Sequence, residues 1–169
     1  MSGGAAPAMM TEKIIMKVCP EFPRVNFHFV IGSLNPRINA IKKLSGQNII
    51  FHVNEQNMSK LMRDCDVAVS AAGSTLYELC ACGTPSVTYV LADNQIDAAE
   101  MFGRLKIMIN AGDCRKNDDI ASVIIESLLG MNESVRSEMS AKMQSLVDGN
   151  GAMRIADVII RELVKCKCC

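Results

Sequence analysis

The chain has 169 residues with 18 lysines and arginines and 18 aspartates and glutamates, so its formal net charge is zero. This balance argues against a nucleic-acid-binding protein, which needs a basic face for phosphates, and aromatic residues at 4% without tryptophan give no stacking platform. No apolar run reaches the roughly 18 residues of a membrane-spanning helix, and no secretory signal is visible, so we expect a cytoplasmic protein without a membrane span. A length of 169 residues favours one domain over residues 1–169, and a hydrophobic fraction of 49% is typical of a globular protein.

The apolar segments alternate between strand-like and helix-like patterns. Because the strand-like runs are nearly continuous in apolar residues, they are typical of parallel strands covered on both faces. We therefore predict a Rossmann-like α/β fold with a doubly wound, mostly parallel sheet. The predicted strands are Val25–Gly32, Asn48–Val53, Asp66–Ser70, Ser86–Val90 and Lys106–Ile109. The predicted helices are Thr11–Cys19, Pro36–Leu44, Met58–Cys65, Thr75–Cys82, Gln95–Leu105 and three further segments beyond residue 118.

The amino-terminal segment, MSGGAAP, places a glycine pair directly before the first helix. In a doubly wound domain such a loop normally follows a strand. We therefore expect that a first strand, and a domain before it, are missing from this sequence. The eight cysteines are expected to be reduced, and neither their spacing nor that of the two histidines predicts a metal site.

Three loops that precede helices carry small or polar residues: Ser2–Ala5, Ala71–Thr75 and Ala92–Gln95. Ligands of open α/β sheets bind at the carboxyl ends of the strands, where such loops gather. Helix amino termini offer unpaired amides to an anion, and glycine lets an oxyanion approach the backbone. The sequence has no lysine-bearing phosphate loop and no G-x-G-x-x-G motif, so neither an ATPase nor a nicotinamide enzyme is predicted.

Each loop also has a purely structural interpretation. Gly73 would then only form a tight turn, Ser74 or Thr75 would only cap the helix, and Thr75 with Glu78 would form a capping box. Each motif taken alone favours this structural role. The occurrence of three such loops at one edge of the sheet favours a ligand site.

The glycine pair, the block FHVNEQNMSKLMRDCDVAVSAAGSTLYELCACGTPSVTYVLADNQ and the helical carboxyl terminus resemble the carboxyl-terminal half of a GT-B nucleotide-sugar enzyme. The resemblance is strongest to the PseG family of UDP-sugar hydrolases of pseudaminic acid biosynthesis and to spore-coat polysaccharide proteins. MurG-type glycosyltransferases are more distantly similar. The resemblance implies UDP or a UDP-sugar as the ligand and no additional cofactor or metal.

The same resemblance implies roles for individual residues. Phosphate contacts would come from two loops, the uracil edge would meet the backbone near Val53, and Glu78 would accept hydrogen bonds from the ribose hydroxyls. Asn94, as a catalytic residue, and Gln95 would face the sugar. The residues expected at the phosphates are Ser2, Gly3, Gly4, Gly73, Ser74 and Thr75.

The reaction that the resemblance implies is attack of water on the anomeric carbon with release of UDP. In the PseG family the histidine proposed to activate that water belongs to the amino-terminal domain, which is missing here. His28 and His52 are instead expected to be packed and satisfied strand residues. The sequence therefore leaves three possibilities: half of a hydrolase that is inactive alone, half of a UDP-sugar-dependent glycosyltransferase, or a non-catalytic subunit completed by a separate chain.

Overall fold

The computed structural model describes residues 8–166. The helices are α1 (Ala8–Lys13), α2 (Ile38–Lys42), α3 (Met58–Asp64), α4 (Thr75–Cys82), α5 (Ile96–Arg104), α6 (Ile120–Gly130), α7 (Glu133–Leu146) and α8 (Gly151–Cys166). The strands are β1 (Phe27–Ile31), β2 (Ile49–Val53), β3 (Ala68–Ala71), β4 (Ser86–Val90) and β5 (Ile109–Asp113). Helix α1 continues as a π-helical turn over Ile14–Val18 and a 3₁₀ turn over Cys19–Glu21.

All strand pairs are parallel, which agrees with the predicted fold class. β1 pairs with β2, from Phe27 opposite Ile49 to Ile31 opposite Val53. β4 lies between β3 and β5 and pairs with both. Among the described residues the strands thus form a two-stranded and a three-stranded sheet, and no ladder joins them into the single sheet that the sequence predicted.

Helices cover the three-stranded sheet in two layers. The segment that follows α1 packs on α6, whereas α4 packs on α3 and α7. Every residue of β4 is buried between these layers. The two polar members of that strand keep hydrogen bonds, since Ser86 Oγ donates to Thr84 O at 2.7 Å and Thr88 Oγ1 donates to Ile109 O at 3.4 Å. The three-stranded sheet is therefore covered by helices on both faces, as the continuous apolar pattern of its strands predicts.

The prediction of the fifth strand at Lys106–Ile109 was wrong. These residues close α5, because the amides of Ile107 and Met108 both donate to Phe102 O and Lys106 has a positive φ of 53°. Ile107 and Met108 are nevertheless buried, at 6% and 2% exposure. Burial in a turn thus produced an apolar run that mimics a strand, and the true strand begins where the run ends.

Helix α1 contacts segments that follow a strand of each sheet. Arg37, which follows β1, forms an ion pair with Glu12 at 2.8 Å. Lys13 Nζ donates to the carbonyl of Asp118, which follows β5, at 3.2 Å. Helix α1 therefore joins the segment that follows β1 to the segment that follows β5.

Helix α8 presents six large apolar side chains with exposures of 54–68%, namely Met153, Ile155, Val158, Ile159, Ile160 and Leu163. Its first turn is tied to the preceding loop by a two-pronged ion pair between Arg154 and Asp148. Over the described residues, none of the helices is both long enough and apolar enough to cross a lipid bilayer.

Candidate functional site

The loop that follows β3 leads directly into α4. Its backbone continues the ladder for one residue, because the Ala72 amide donates to Tyr89 O at 2.9 Å. The Gly73 amide then donates to Ala71 O, and those of Leu76 and Tyr77 donate to Gly73 O and Ser74 O. The amides of Ser74 and Thr75 have no acceptor among the described residues. Two backbone donors at a helix start are therefore available to an anion.

The predicted capping box is not formed. Thr75 is the first residue of α4 and Ser74 precedes it with helical backbone angles and no side-chain capping bond. Glu78 is exposed, and its carboxylate has no hydrogen bond or ion pair within residues 8–166. Because the Glu78 carboxylate binds no other group within residues 8–166, its side chain is available for a ligand.

Gly73 is not needed for a left-handed turn. Among the described glycines, Gly83, Gly112 and Gly149 have a positive φ. Within the described part of the chain, a Cβ added to Gly73 would contact one other side chain, that of Gln95, at 3.9 Å from Nε2, which is an ordinary van der Waals distance. The backbone here would thus accept a side chain, which removes the structural explanation for a glycine at this position.

The loop that follows β4 brings Gln95 to the same place. Asp93–Gln95 form one 3₁₀ turn before α5. Gln95 Oε1 accepts a hydrogen bond from the Leu91 amide at 2.9 Å, which holds the side chain against the end of β4. Its Nε2 therefore faces Gly73. Asn94 is exposed and makes no side-chain hydrogen bond in the described part of the chain.

Arg115 lies two residues after the end of β5, and the sequence analysis did not identify it as a candidate site residue. Its Nε and Nη2 bind the two carboxylate oxygens of Asp113 at 2.9 and 2.7 Å, and its Nη1 lies 2.8 Å from Asp93. The hydrogen bonds from Arg115 lower the pKa of Asp113 to about 2, and the same bonds raise the pKa of Arg115. This ion pair ties the loop after β5 to the loop after β4, next to Asn94.

The misplaced fifth strand explains why Arg115 was missed. With a strand ending at Ile109, Arg115 would lie well past the edge of the sheet. The true strand ends at Asp113. The spacing of Asp113 and Arg115 at a strand end is the signal that could have identified the pair.

Val53 lies at the carboxyl end of β2, opposite Ile31, and is 38% exposed. The next residue, Asn54, has a positive φ of 56° and donates its amide to Ile31 O at 3.1 Å. Val53 therefore ends a strand of the two-stranded sheet, whereas the loop at Gly73 follows a strand of the three-stranded sheet. Ser2, Gly3 and Gly4 lie outside the described residues.

The two histidines face each other across β1 and β2. His28 Nδ1 and His52 Nε2 lie 2.9 Å apart with stacked rings, and His52 Nδ1 lies 3.3 Å from Glu55. Both rings have partners, as expected, but His28 is exposed although its ring stacks on His52. Burial of part of its ring and the charge of His52 lower the pKa of His28.

No cluster of three or more histidine, cysteine, aspartate or glutamate side chains suited to a metal occurs in the part of the chain that the structure describes. The described cysteines are free thiols. Burial raises the pKa of both Cys19 and Cys80 to about 11, so these two thiols stay protonated at neutral pH.

The chain is 24% identical over 161 residues to the spore coat polysaccharide biosynthesis protein SpsG of Bacillus subtilis, covering 93% of this chain and 48% of that protein. It is 46% identical over 97 residues to the Helicobacter pylori protein named pseudaminic acid cytidylyltransferase and UDP-2,4-diacetamido-2,4,6-trideoxy-beta-L-altropyranose hydrolase. That match covers 57% of this chain and 18% of the relative. No family model matches the chain.

Among solved structures, the glycotransferase of kitacinnamycin superimposes with a TM-score of 0.73 at 20% identity, over 96% of this chain and 41% of that one. The fold is Rossmann-like and of the GT-B type. The resemblance to PseG-type and spore-coat polysaccharide proteins that the sequence showed is confirmed by these matches. The chain spans about half, or less, of the length of the proteins it matches.

Proposed function

We propose that this chain is the nucleotide-sugar-binding domain of a UDP-sugar hydrolase of the pseudaminic acid type. The observation that carries the proposal is the meeting of the Gly73 loop and Gln95 at the carboxyl edge of β3 and β4, beside two available amides. The 46% identity to a protein named as a UDP-sugar hydrolase supports the choice of ligand. UDP or a UDP-sugar is therefore the proposed partner, with no additional cofactor or metal.

The proposed phosphate contacts are the amides of Ser74 and Thr75, with Gly73 leaving room for an oxygen to reach them. Ser2, Gly3 and Gly4 are proposed to approach the same diphosphate from the first loop. Glu78 lies on the first turns of α4, where a carboxylate can accept two hydrogen bonds from the vicinal ribose hydroxyls.

The remaining roles concern the base and the sugar. The backbone near Val53 is proposed to bind the uracil edge. Asn94 and Gln95 are proposed to face the sugar, Asn94 as a catalytic residue that orients the reacting group. The bond from the Leu91 amide to Gln95 supports this proposal because it holds the side chain near Gly73, and the exposed Asn94 side chain makes no hydrogen bond within residues 8–166.

The proposed reaction is hydrolysis at the anomeric carbon. The water oxygen bonds to that carbon, the bond from carbon to the phosphate oxygen breaks, and UDP leaves with the electron pair. The proton of the water must pass to a base. We propose that residues 1–169 form one domain and that this base comes from an amino-terminal half, as a separate domain or subunit, so that the chain alone binds without turnover.

A UDP-sugar-dependent glycosyltransferase is the second candidate, because the chain superimposes on a glycotransferase with a TM-score of 0.73. In that case a hydroxyl group and not water attacks the same carbon. A non-catalytic subunit completed by a partner chain is the third. Release of free sugar in the presence of an amino-terminal half distinguishes hydrolysis from transfer.

Isothermal titration of the chain with UDP, UMP and ADP tests the proposal. We expect UDP to bind at least about tenfold more tightly than UMP, because the second phosphate meets the Ser74 and Thr75 amides. ADP is expected to bind more weakly than UDP because the pyrimidine edge is read by backbone near Val53. Equal affinity for all three nucleotides, or no binding of UDP, would contradict the assignment.

A further inference from the structure

Arg115 joins two loops at the carboxyl end of the three-stranded sheet, and we call this connection of Asp93, Asp113 and Arg115 the Arg115 bridge. Asp113 is its fixed end, since it pairs with Val90 of β4 and its side chain is only 14% exposed. The Asp113 carboxylate accepts hydrogen bonds from the Arg115 amide at 3.0 Å, from Nε at 2.9 Å and from Nη2 at 2.7 Å. These bonds fix the plane of the guanidinium group, whose Nη1 lies 2.8 Å from Asp93.

The other end of the bridge is the 3₁₀ turn before α5. Asp93 opens this turn with a side chain that is 87% exposed, and no side chain among the described residues caps it. Gln95 closes the turn and accepts the hydrogen bond from the Leu91 amide. Both neighbours of Asn94 are therefore tied to the end of the sheet, whereas its own side chain makes no hydrogen bond in the described part of the chain.

The bridge is suited to holding a position and not to stabilising the whole fold. Ion pairs with an exposed partner add little to global stability, because water solvates the charges and dissolved salt screens them. Asp113 already holds the guanidinium group, so the additional bond to Asp93 costs little side-chain entropy. The effect of the bridge is therefore expected on the turn that contains Asn94 and not on the unfolding of the chain.

We propose that Arg115 is a positioning residue, which acts through Asp93 to hold Asn94 where it meets the sugar of the ligand. In the proposed function, on which this inference rests, Asn94 faces the sugar and the start of α4 binds the diphosphate. Each of the three guanidinium nitrogens of Arg115 binds a carboxylate oxygen, so Arg115 acts on the ligand through the turn. Loss of the bridge is thus expected to weaken recognition of the sugar and to leave the affinity for UDP unchanged.

Asp93→Ala breaks the bridge at its exposed end and keeps the pair between Arg115 and Asp113. The variant is therefore expected to fold as the parent chain does. Asp97→Ala is the matched control, since Asp97 is an exposed carboxylate in the first turn of α5 without a hydrogen bond or ion pair in the described part of the chain. The control removes the same charge from the same region and leaves the bridge intact.

Amide hydrogen exchange of the whole chain without nucleotide shows whether the bridge holds the turn. The Gln95 amide donates to Ala92 O at 3.0 Å and the Ile96 amide donates to Asp93 O, so both amides exchange when the turn opens. We expect exchange of both amides to be about two- to fivefold faster in Asp93→Ala, the range of an exposed ion pair, and unchanged in Asp97→Ala. Equal exchange rates in Asp93→Ala and the parent chain would refute the bridge.

Titration calorimetry separates positioning from a purely structural role. The two ligands are UDP and UDP-2,4-diacetamido-2,4,6-trideoxy-beta-L-altropyranose, the UDP-sugar in the name of the Helicobacter pylori relative. In Asp93→Ala we expect the affinity for UDP to stay within about twofold of the parent value and the affinity for the UDP-sugar to fall at least about threefold. Arg115→Lys should give the same selective loss, since an ammonium group does not offer separate nitrogens to two carboxylates.

The double variant, Asp93→Ala with Arg115→Lys, tests whether Arg115 acts through Asp93. It should lose no more affinity for the UDP-sugar than either single variant, because both substitutions break the same bridge. A further loss would show that Arg115 contacts the ligand directly and would overturn the inference. So would equal losses for UDP and the UDP-sugar, no loss for either, or a parent chain that binds both equally.

Failure of the proposed function gives a different result. A parent chain that binds neither UDP nor the UDP-sugar would contradict the nucleotide assignment, and the role of Arg115 towards the sugar would be refuted with it. Faster exchange of the Gln95 and Ile96 amides in Asp93→Ala would in that case still show that the bridge holds the turn. Faster exchange together with a selective loss of affinity for the UDP-sugar supports the inference.

Discussion

Gln95 and Gly73 come from two consecutive crossover connections and meet at the end of the sheet. Nε2 of Gln95 lies 3.9 Å from the position that a Cβ on residue 73 would occupy, while its Oε1 holds the Leu91 amide. The hydrogen bond fixes the orientation of the amide group, so its NH₂ is directed at the glycine loop. The two loops that the proposed ligand would contact therefore meet at this point.

Gly73→Ala is expected to leave stability unchanged within about 0.5 kcal/mol, because the added Cβ meets one ordinary contact among residues 8–166 and the backbone is not left-handed. UDP affinity should fall by at least about tenfold, or about 1.4 kcal/mol, because the methyl group obstructs the phosphate. Urea denaturation and titration calorimetry measure the two quantities. Unchanged affinity would show that the loop does not contact the diphosphate.

Gly83→Ala is the matched control for that experiment. Gly83 has a φ of 68° at the end of α4, and an added Cβ would lie 2.5 Å from Nε2 of Gln144. The left-handed backbone should make the variant about 1–2 kcal/mol less stable. Its UDP affinity at a temperature where it is folded should equal that of the parent chain. Gly73→Ala is therefore expected to lower UDP affinity without lowering stability, and Gly83→Ala to lower stability without lowering UDP affinity.

Glu78→Gln should weaken UDP binding by about 1–3 kcal/mol, because an amide accepts only one of the two ribose hydroxyls and carries no charge. Stability should stay constant, since Glu78 has no partner within residues 8–166. Glu126→Gln, an exposed change on α6, is the control for charge removal alone. If stability fell and affinity did not, Glu78 would be acting on its own helix.

Asp113 should make the fold sensitive to acid. Its hydrogen bonds from Arg115 lower its pKa from 3.8 to about 2, so the unfolded chain binds a proton here more readily than the folded chain. The stabilisation is complete above pH 3.8 and is lost as the pH falls from 3.8 towards 2. Urea midpoints across this range should fall more steeply for the parent chain than for Asp113→Asn. Parallel curves for the two proteins would contradict the ion pair.

His28 should also make the folded protein less stable as the pH falls, but in a higher pH range than Asp113. Burial and the neighbouring His52 lower its pKa below 6.5, so the folded state favours the neutral ring. The stabilisation is present above pH 6.5 and declines as the pH falls below it. His28→Gln removes this titration and should flatten the stability curve in that range. Denaturation midpoints of both proteins at several pH values test the expectation, and an unchanged slope would refute it.

The strand and helix order was predictable because most elements bury their apolar residues where the local pattern is clear. Helix α4 was placed at Thr75–Cys82 and β4 at Ser86–Val90, as observed. The fifth strand was misplaced because Ile107 and Met108 are buried in a turn that closes α5. An apolar run reports burial, and local sequence does not distinguish a buried turn from a buried strand.

The sequence by itself determined the fold class and the two described loops that precede α4 and α5, because hydrophobic periodicity and small residues are local properties. Only the tertiary structure decided that Gln95 faces Gly73, that Arg115 links Asp93 to Asp113, and that a cleft separates β1 from β3. These relationships join residues from different crossover connections. Their distances depend on how the strands pack side by side, and no single stretch of the chain encodes that packing.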